Sequence, residues 1–208
     1  IRRQRQMCIR DSHIASLPIF IETVYQAGPA CVAIHASAAT IASLQRDVFN
    51  GRVWPDFVNL GAPAGPFLSL HELQPGVPIE LDGIRVTPVE VDHTVPTLGF
   101  LLEDSTGAVV IASDTGPTDE IWRLANRLTN LKAVFLEASF PDAMFGLAAA
   151  TKHLTPATFA AEVRKLHRSP RVLAVHLKAR YYDRIAAELA ALAMPNVAVV
   201  EPGRAYEF

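Results

Sequence analysis

Apolar and polar positions alternate along this chain with two periods, and the places where the period changes mark its elements. Residues 14–26 and 37–49 repeat every three to four positions, as helices with one buried face do. The first is entered at His13 and carries Pro18 in its opening turn; the second begins at a capping serine, Ser37, and sets Ala39, Ile41, Ala42, Leu44 and Val48 along one stripe. Between them, residues 30–36 read as a strand. Trp54-Pro55-Asp56-Phe57 and residues 61–66 read as loop. A region of short strands follows at 67–70, 79–81, 84–91, 98–103 and 108–112, punctuated by the turn signals Gln74-Pro75-Gly76 and Asp82-Gly83. Beyond Asp114 helix and strand alternate: helix 119–128, strand to Leu136, helix 155–167, strand to Val175, helix 182–192 and a last strand at 197–200. That order predicts an α/β fold with helices outside packed sheets, in one domain spanning 13–208.

Four apolar runs stop on residues that bind metals or move protons. They are Val89-Glu90-Val91-Asp92-His93, Val109-Val110-Ile111-Ala112-Ser113-Asp114, Ala133-Val134-Phe135-Leu136-Glu137 and Val172-Leu173-Ala174-Val175-His176. Strand ends on one edge of an open sheet are where such sheets place their chemistry, so His93, Asp114, Glu137 and His176 are expected along one rim. Any one of them alone is ordinary: a strand-end histidine is usually a hydrogen-bonded surface group, Asp-Thr-Gly a good turn. Their recurrence at equivalent ends is what carries the expectation. His35, His71 and His167 have sufficient structural explanations.

Composition narrows the partner. The 208 residues are 50% hydrophobic and carry a formal charge of -2, so a sizeable core is expected and no basic field for nucleic acid or an anionic membrane exists. No run approaches the roughly 20 apolar residues of a spanning helix. Cys8 and Cys31 lie far apart without metal-type spacing, which favours reducing surroundings. A cytoplasmic protein acting on a small molecule is expected, with the periplasm as the alternative compartment and a homodimer compatible. Residues 1–12 are basic and aperiodic; they resemble translated sequencing-adapter read-through, and are expected to be non-native.

Imidazole and carboxylate donors without thiolates suit zinc, with manganese or iron as alternatives, and a carboxylate able to bridge two ions suits a dinuclear site. Two ions about 3.5–4 Å apart lower the pKa of water toward neutrality and clamp phosphoryl oxygens, which favours hydrolysis over redox work.

Several strings occur in order from His13 to the end: His13-Ile14-Ala15-Ser16-Leu17-Pro18, Phe49-Asn50 with Trp54-Pro55-Asp56-Phe57, His93-Thr94-Val95-Pro96-Thr97-Leu98-Gly99-Phe100, Ser113-Asp114-Thr115, Leu136-Glu137-Ala138-Ser139-Phe140, His153-Leu154-Thr155-Pro156 and Val175-His176-Leu177-Lys178. Together they resemble the class II cyclic-nucleotide phosphodiesterases of the metallo-β-lactamase superfamily. The resemblance implies a four-layered αββα sandwich, here lacking its first strands, that binds two zinc ions and hydrolyses 3′,5′-cyclic nucleotides such as cAMP or cGMP. It implies metal-ligand roles for His13, His93, Asp114 and His176, with Asp114 as the bridge. By the same resemblance Glu137 and His153 match a pair that helps protonate the leaving oxygen in related tRNA 3′-processing enzymes, a contribution of about 10²–10⁴-fold. The family's H-x-H-x-D-H motif should end on His13, yet Arg10, Asp11 and Ser12 precede it. The chain as it stands is therefore expected to be truncated and to bind metal poorly. The alternatives are another hydrolase of the superfamily, a tRNA 3′-processing type included, and a non-catalytic chain.

Overall fold

The computed structural model describes residues 14, 16–24, 32–62 and 65–208. The segment 1–12 and His13 lie outside the described residues. The chain divides into two compact units, Ile1–Gln74 and Pro75–Phe208.

In the first unit, α1 (Leu17–Val24), β1 (Val32–Ala36) and α2 (Ala38–Ser43) follow the expected pattern. Ser37 caps α2 by accepting the Thr40 N–H at 3.2 Å. The amphipathic stretch expected over 37–49 is not one helix: after Ser43 the backbone widens into a π-helical turn, Leu44–Val48, closed by the Phe49 N–H on the Leu44 carbonyl at 2.8 Å. The wider turn brings Leu44 and Phe49 into a core with Ile21, Phe57 and Leu68. Part of the expected loop 61–66 pairs as a minimal hairpin, β2 (Gly61–Ala62) with β3 (Gly65–Pro66). β4 (Leu68–Glu72) runs parallel to β1 and sets His71 opposite His35, the rings stacked at 4.7 Å between centroids. Burial first, and the neighbouring His71 second, lower the His35 pKa.

The second unit is built on one seven-stranded sheet whose spatial order is its sequence order: β5 (Ile79–Leu81), β6 (Ile84–Val91), β7 (Thr97–Glu103), β8 (Ala108–Ile111), β9 (Leu131–Glu137), β10 (Arg171–Val175) and β11 (Val197–Val199). Strands β5 to β8 form an antiparallel meander, because their two-to-five-residue links are too short for anything else. From β8 onward neighbours are parallel and each link carries helix: α3 (Glu120–Ala125), α4 (Phe145–Ala150) with α5 (Pro156–Val163), and α6 (Tyr182–Ala191). Thr155 caps α5 in a reciprocal box with Thr158, and Pro156 fills the first helical position where no N–H is needed. Val110, Val134, Leu136, Val172 and Ala174 of the sheet, with Ile121, Trp122, Phe159 and Ile185 of the helices, form the buried core.

Gly99 sits inside β7, within the strand expected over 98–103, opposite Val89. A Cβ there would come within 2.6 Å of Ile121 Cδ1 and 3.0 Å of the Ile111 carbonyl, so the missing side chain is what lets α3 lie down on the sheet. Helix α4 has no counterpart among the expected elements: Phe145-Gly146-Leu147 offers a short, glycine-interrupted pattern with little helical signal.

Candidate metal and catalytic centre

Strand direction decides where the side chains arrive. β8, β9 and β10 run the same way, and two antiparallel reversals return β6 to that direction, so all four leave the sheet at one edge. Asp92-His93 follows β6, Ser113-Asp114 follows β8, Glu137 closes β9, and His176 follows β10 directly beyond the Val175 that pairs with Glu137. His153 comes from the loop before α5. One potential ligand atom from each of Asp114, Glu137, His153 and His176 lies within 4.8 Å of the other three. The His93 ring stands 4.9 Å from that of His153, and the His176 ring 5.7 Å.

Each imidazole is turned the same way. His93 Nδ1–H donates to the Lys152 carbonyl at 3.0 Å. Ser139 gives its hydroxyl proton to the His176 carbonyl, so its oxygen accepts from His176 Nδ1 at 2.9 Å, and the same nitrogen is 3.2 Å from Asp114 Oδ1. His153 Nδ1 meets Glu137 Oε1, both side chains fully buried. Nδ1 engaged by a protein oxygen, with Nε2 as the ligand atom, is the arrangement metal-binding histidines adopt. Oxygen and imidazole donors, clustered and almost dry, fit a divalent cation of the zinc or manganese kind. Asp114, Glu137, His153 and His176 are the described residues whose ligand atoms converge closely enough to hold one.

Glu137 is the most perturbed group. Its oxygens accept the N–H of Thr115 at 3.0 Å and of Leu154 at 3.2 Å. Burial nevertheless pushes its pKa up from 4.5 to about 7; the bonds from Ser139, Leu154 and Thr115 and the charge of His93 pull the other way. Lys152 ties two loops together: its carbonyl receives His93, its ammonium pairs with Asp92 at 2.6 Å, and the Asp92 carbonyl accepts Gly116 N–H at 2.7 Å. Ser113, Lys152 and His176 all sit at left-handed φ, between 52° and 58°.

Of the sequence-predicted residues, the structure brings Asp114, Glu137, His153, His176 and His93 together, while His13 lies outside the described residues. Sequence reasoning missed Ser139 and Lys152, whose contributions are a hydroxyl and a carbonyl that no residue spacing announces.

A family model described as a beta-lactamase superfamily domain matches residues 13–177. A probable 3′,5′-cyclic-nucleotide phosphodiesterase of Yersinia pestis is 31% identical over 156 residues, 64% of this chain and 43% of that protein. The chain thus spans less than half the length of that relative. Ribonuclease Z of Mycobacterium tuberculosis (strain ATCC 25618 / H37Rv) is 36% identical over 62 residues, 29% of this chain and 23% of its own length. Among solved structures, unliganded yeast PDE1 superposes with a TM-score of 0.76 at 21% identity, covering 92% of this chain and 64% of the yeast chain.

Proposed function

The chain belongs to the beta-lactamase superfamily and has its metallo-β-lactamase type of α/β fold, and from that premise we propose that it is a metal-dependent phosphodiesterase opening 3′,5′-cyclic nucleotides to 5′-nucleotides. The observation that carries the reading is the buried convergence of Asp114, Glu137, His153 and His176 at one sheet edge, in a chain 31% identical over 156 residues to a probable cyclic-nucleotide phosphodiesterase. The ribonuclease Z matches reach less than half of the chain.

In this reading His93, Asp114 and His176, together with His13, hold two divalent ions, with zinc as the first choice. Ions bound there supply Lewis-acid polarisation of the phosphoryl group and lower the pKa of water. Glu137, anchored by the Thr115 and Leu154 amides, holds His153 Nδ1 and fixes the direction of its Nε2. As the P–O3′ bond breaks and water's oxygen joins phosphorus, the protonated His153 gives its Nε2 proton to the departing 3′-oxygen. Glu137 fixes the ring that delivers this proton, and the proton given up by the attacking water passes to solvent, from which His153 is recharged. A cytoplasmic setting and a freely diffusing nucleotide belong to the same reading.

Purified protein loaded with zinc or manganese is expected to convert 3′,5′-cyclic AMP to 5′-AMP, followed by chromatography of the nucleotides, and EDTA is expected to abolish the conversion. Protein that holds two ions, leaves cyclic nucleotides intact and cleaves another ester would overturn the substrate reading.

A further inference from the structure

Two dipeptides interlock beside the cluster. Asp92-His93 leaves β6, Lys152-His153 follows α4, and they meet three times. His93 Nδ1–H donates to the Lys152 carbonyl at 3.0 Å, the Lys152 ammonium pairs with Asp92 at 2.6 Å, and the His93 and His153 rings meet edge-on at 4.9 Å. Gly116, from the loop after β8, closes the joint. Its N–H donates to the Asp92 carbonyl at 2.7 Å, and a Cβ on it would stand 3.5 Å from both Asp92 Oδ2 and Lys152 Cα.

The backbone of Lys152 carries an independent mark. Helix α4 ends in a Schellman arrangement, with the His153 N–H on the Ala148 carbonyl at 2.9 Å and the Lys152 N–H on the Ala149 carbonyl at 3.2 Å. The left-handed residue of that motif is ordinarily glycine, and here it is Lys152, at φ 52°. A side chain stands where its Cβ is a burden, and its ammonium goes to the residue next to His93. The consequence concerns the imidazole. A carbonyl can only accept, so the contact with Lys152 keeps a proton on His93 Nδ1 and leaves Nε2 as the ligand atom. Where that carbonyl points follows the Lys152 dihedrals, which the pair with Asp92 tethers through the side chain.

We propose that Asp92 and Lys152 are positioning residues: their ion pair holds the Lys152 carbonyl on His93, and so sets a metal ligand at a fixed separation from the proton-donating His153. The proposal rests on the reading above for the roles of those two histidines. Its test uses the whole chain. Proton–nitrogen correlation spectra of the imidazoles in metal-free protein, assigned with His93→Gln, report the His93 tautomer, and calorimetric titration reports zinc affinity. Asp92→Asn removes the carboxylate charge, and Lys152→Asn removes the ammonium with a residue that accepts the left-handed region. The exchange of Asp92→Lys with Lys152→Asp rebuilds the pair in reverse. Glu120→Gln, which breaks a comparably exposed pair with Arg123 on α3, is the control. Circular dichroism confirms that each variant is folded. Both asparagine variants are expected to populate the other His93 tautomer and to weaken zinc about threefold to tenfold. That falls short of the roughly 10–100-fold typical of groups bonded directly to a ligand, because the pair is half exposed. The exchange should regain tautomer and affinity, and Glu120→Gln should match the wild type.

Folded asparagine variants that keep the wild-type tautomer and zinc affinity overturn the positioning role. So does an exchange that recovers neither, since the loss would then belong to the separate side chains and not to their pairing. An equal loss in Glu120→Gln overturns it too, because only the general field would then matter. The two readings fail separately. A wild type that hydrolyses cyclic AMP while the asparagine variants match it in tautomer and zinc affinity removes the positioning role alone. A wild type that leaves cyclic AMP intact, while the asparagine variants lose zinc affinity and the exchange regains it, removes the cyclic-nucleotide substrate and keeps the positioning role. A wild type that binds no zinc removes both.

Discussion

Glu137 and Glu162 are both buried glutamates in the same unit, with 0% and 2% exposure, and they are compensated in opposite ways. Glu162, on α5, accepts Trp122 Nε1–H at 2.7 Å and the Thr118 N–H at 3.1 Å, and pairs with the Lys165 ammonium at 2.9 Å. That ammonium also reaches the Thr118 carbonyl at 2.7 Å and Asp119 at 2.8 Å. A permanent cation is built in, and the result is a clasp between α3 and α5. Glu137 receives two backbone amides and an imidazole, and among the described residues no lysine or arginine pairs with it. Its charge is left to be matched by a proton or a bound cation. The lesson is that burial does not mark a functional carboxylate; the absence of a resident permanent counter-charge does.

Substitution to glutamine should separate the two. Glu137→Gln, which keeps the shape but loses its hold on a protonated His153, is expected to lower kcat on cyclic AMP by about 10²–10⁴-fold, whereas Glu162→Gln should leave kcat within about threefold. Equal losses in steady-state assays would erase the distinction.

The pH dependence of stability sharpens it further. Because the folded value of Glu137, about 7, lies above its ordinary 4.5, its contribution is fully present below pH 4.5 and is lost as pH rises through 7. In metal-free protein the penalty at pH 8 is on the order of 3 kcal/mol. Urea melts of Glu137→Gln are expected to show that slope flattened between pH 5 and 8; an unchanged slope would assign it to another group.

The smallest effect is structural. Glu162→Gln is expected to cost about 2 kcal/mol at neutral pH, because it weakens charge-assisted bonds to Trp122 and Thr118 while Lys165, one third exposed, is partly solvated. A midpoint unchanged from wild type would show that α3 and α5 are held by packing alone.

Much of the sheet was legible because strands declare themselves by composition and by the turns between them. β5 and β6 fall on the expected residues, 79–81 and 84–91, bracketing Asp82-Gly83. The four runs ending on His93, Asp114, Glu137 and His176 were legible for the same reason, since equal strand direction carries equivalent ends to one edge. What sequence did not disclose is whatever depends on long-range partners. Glu162 lies in the expected helix 155–167, and its partners Trp122 and Lys165 are found only in the fold. Gly99 falls in an expected strand, but nothing in the sequence says that Ile121 lies against it. Ser139 reads as filler until its hydroxyl meets His176. The π-helical turn at Leu44–Val48 has no periodic signature, because one extra residue per turn only shifts the stripe it interrupts.

The left-handed backbones of Ser113, Lys152 and His176 stand where the cluster is assembled, and each such conformation costs a residue with a Cβ about 1 kcal/mol. Engineering the protein for heat resistance would be drawn to those positions first, since glycine relaxes them. Yet these same three dihedral pairs steer an aspartate and two histidines inward. Durability and aim thus share one set of hinges, and tuning the former by that route detunes the latter.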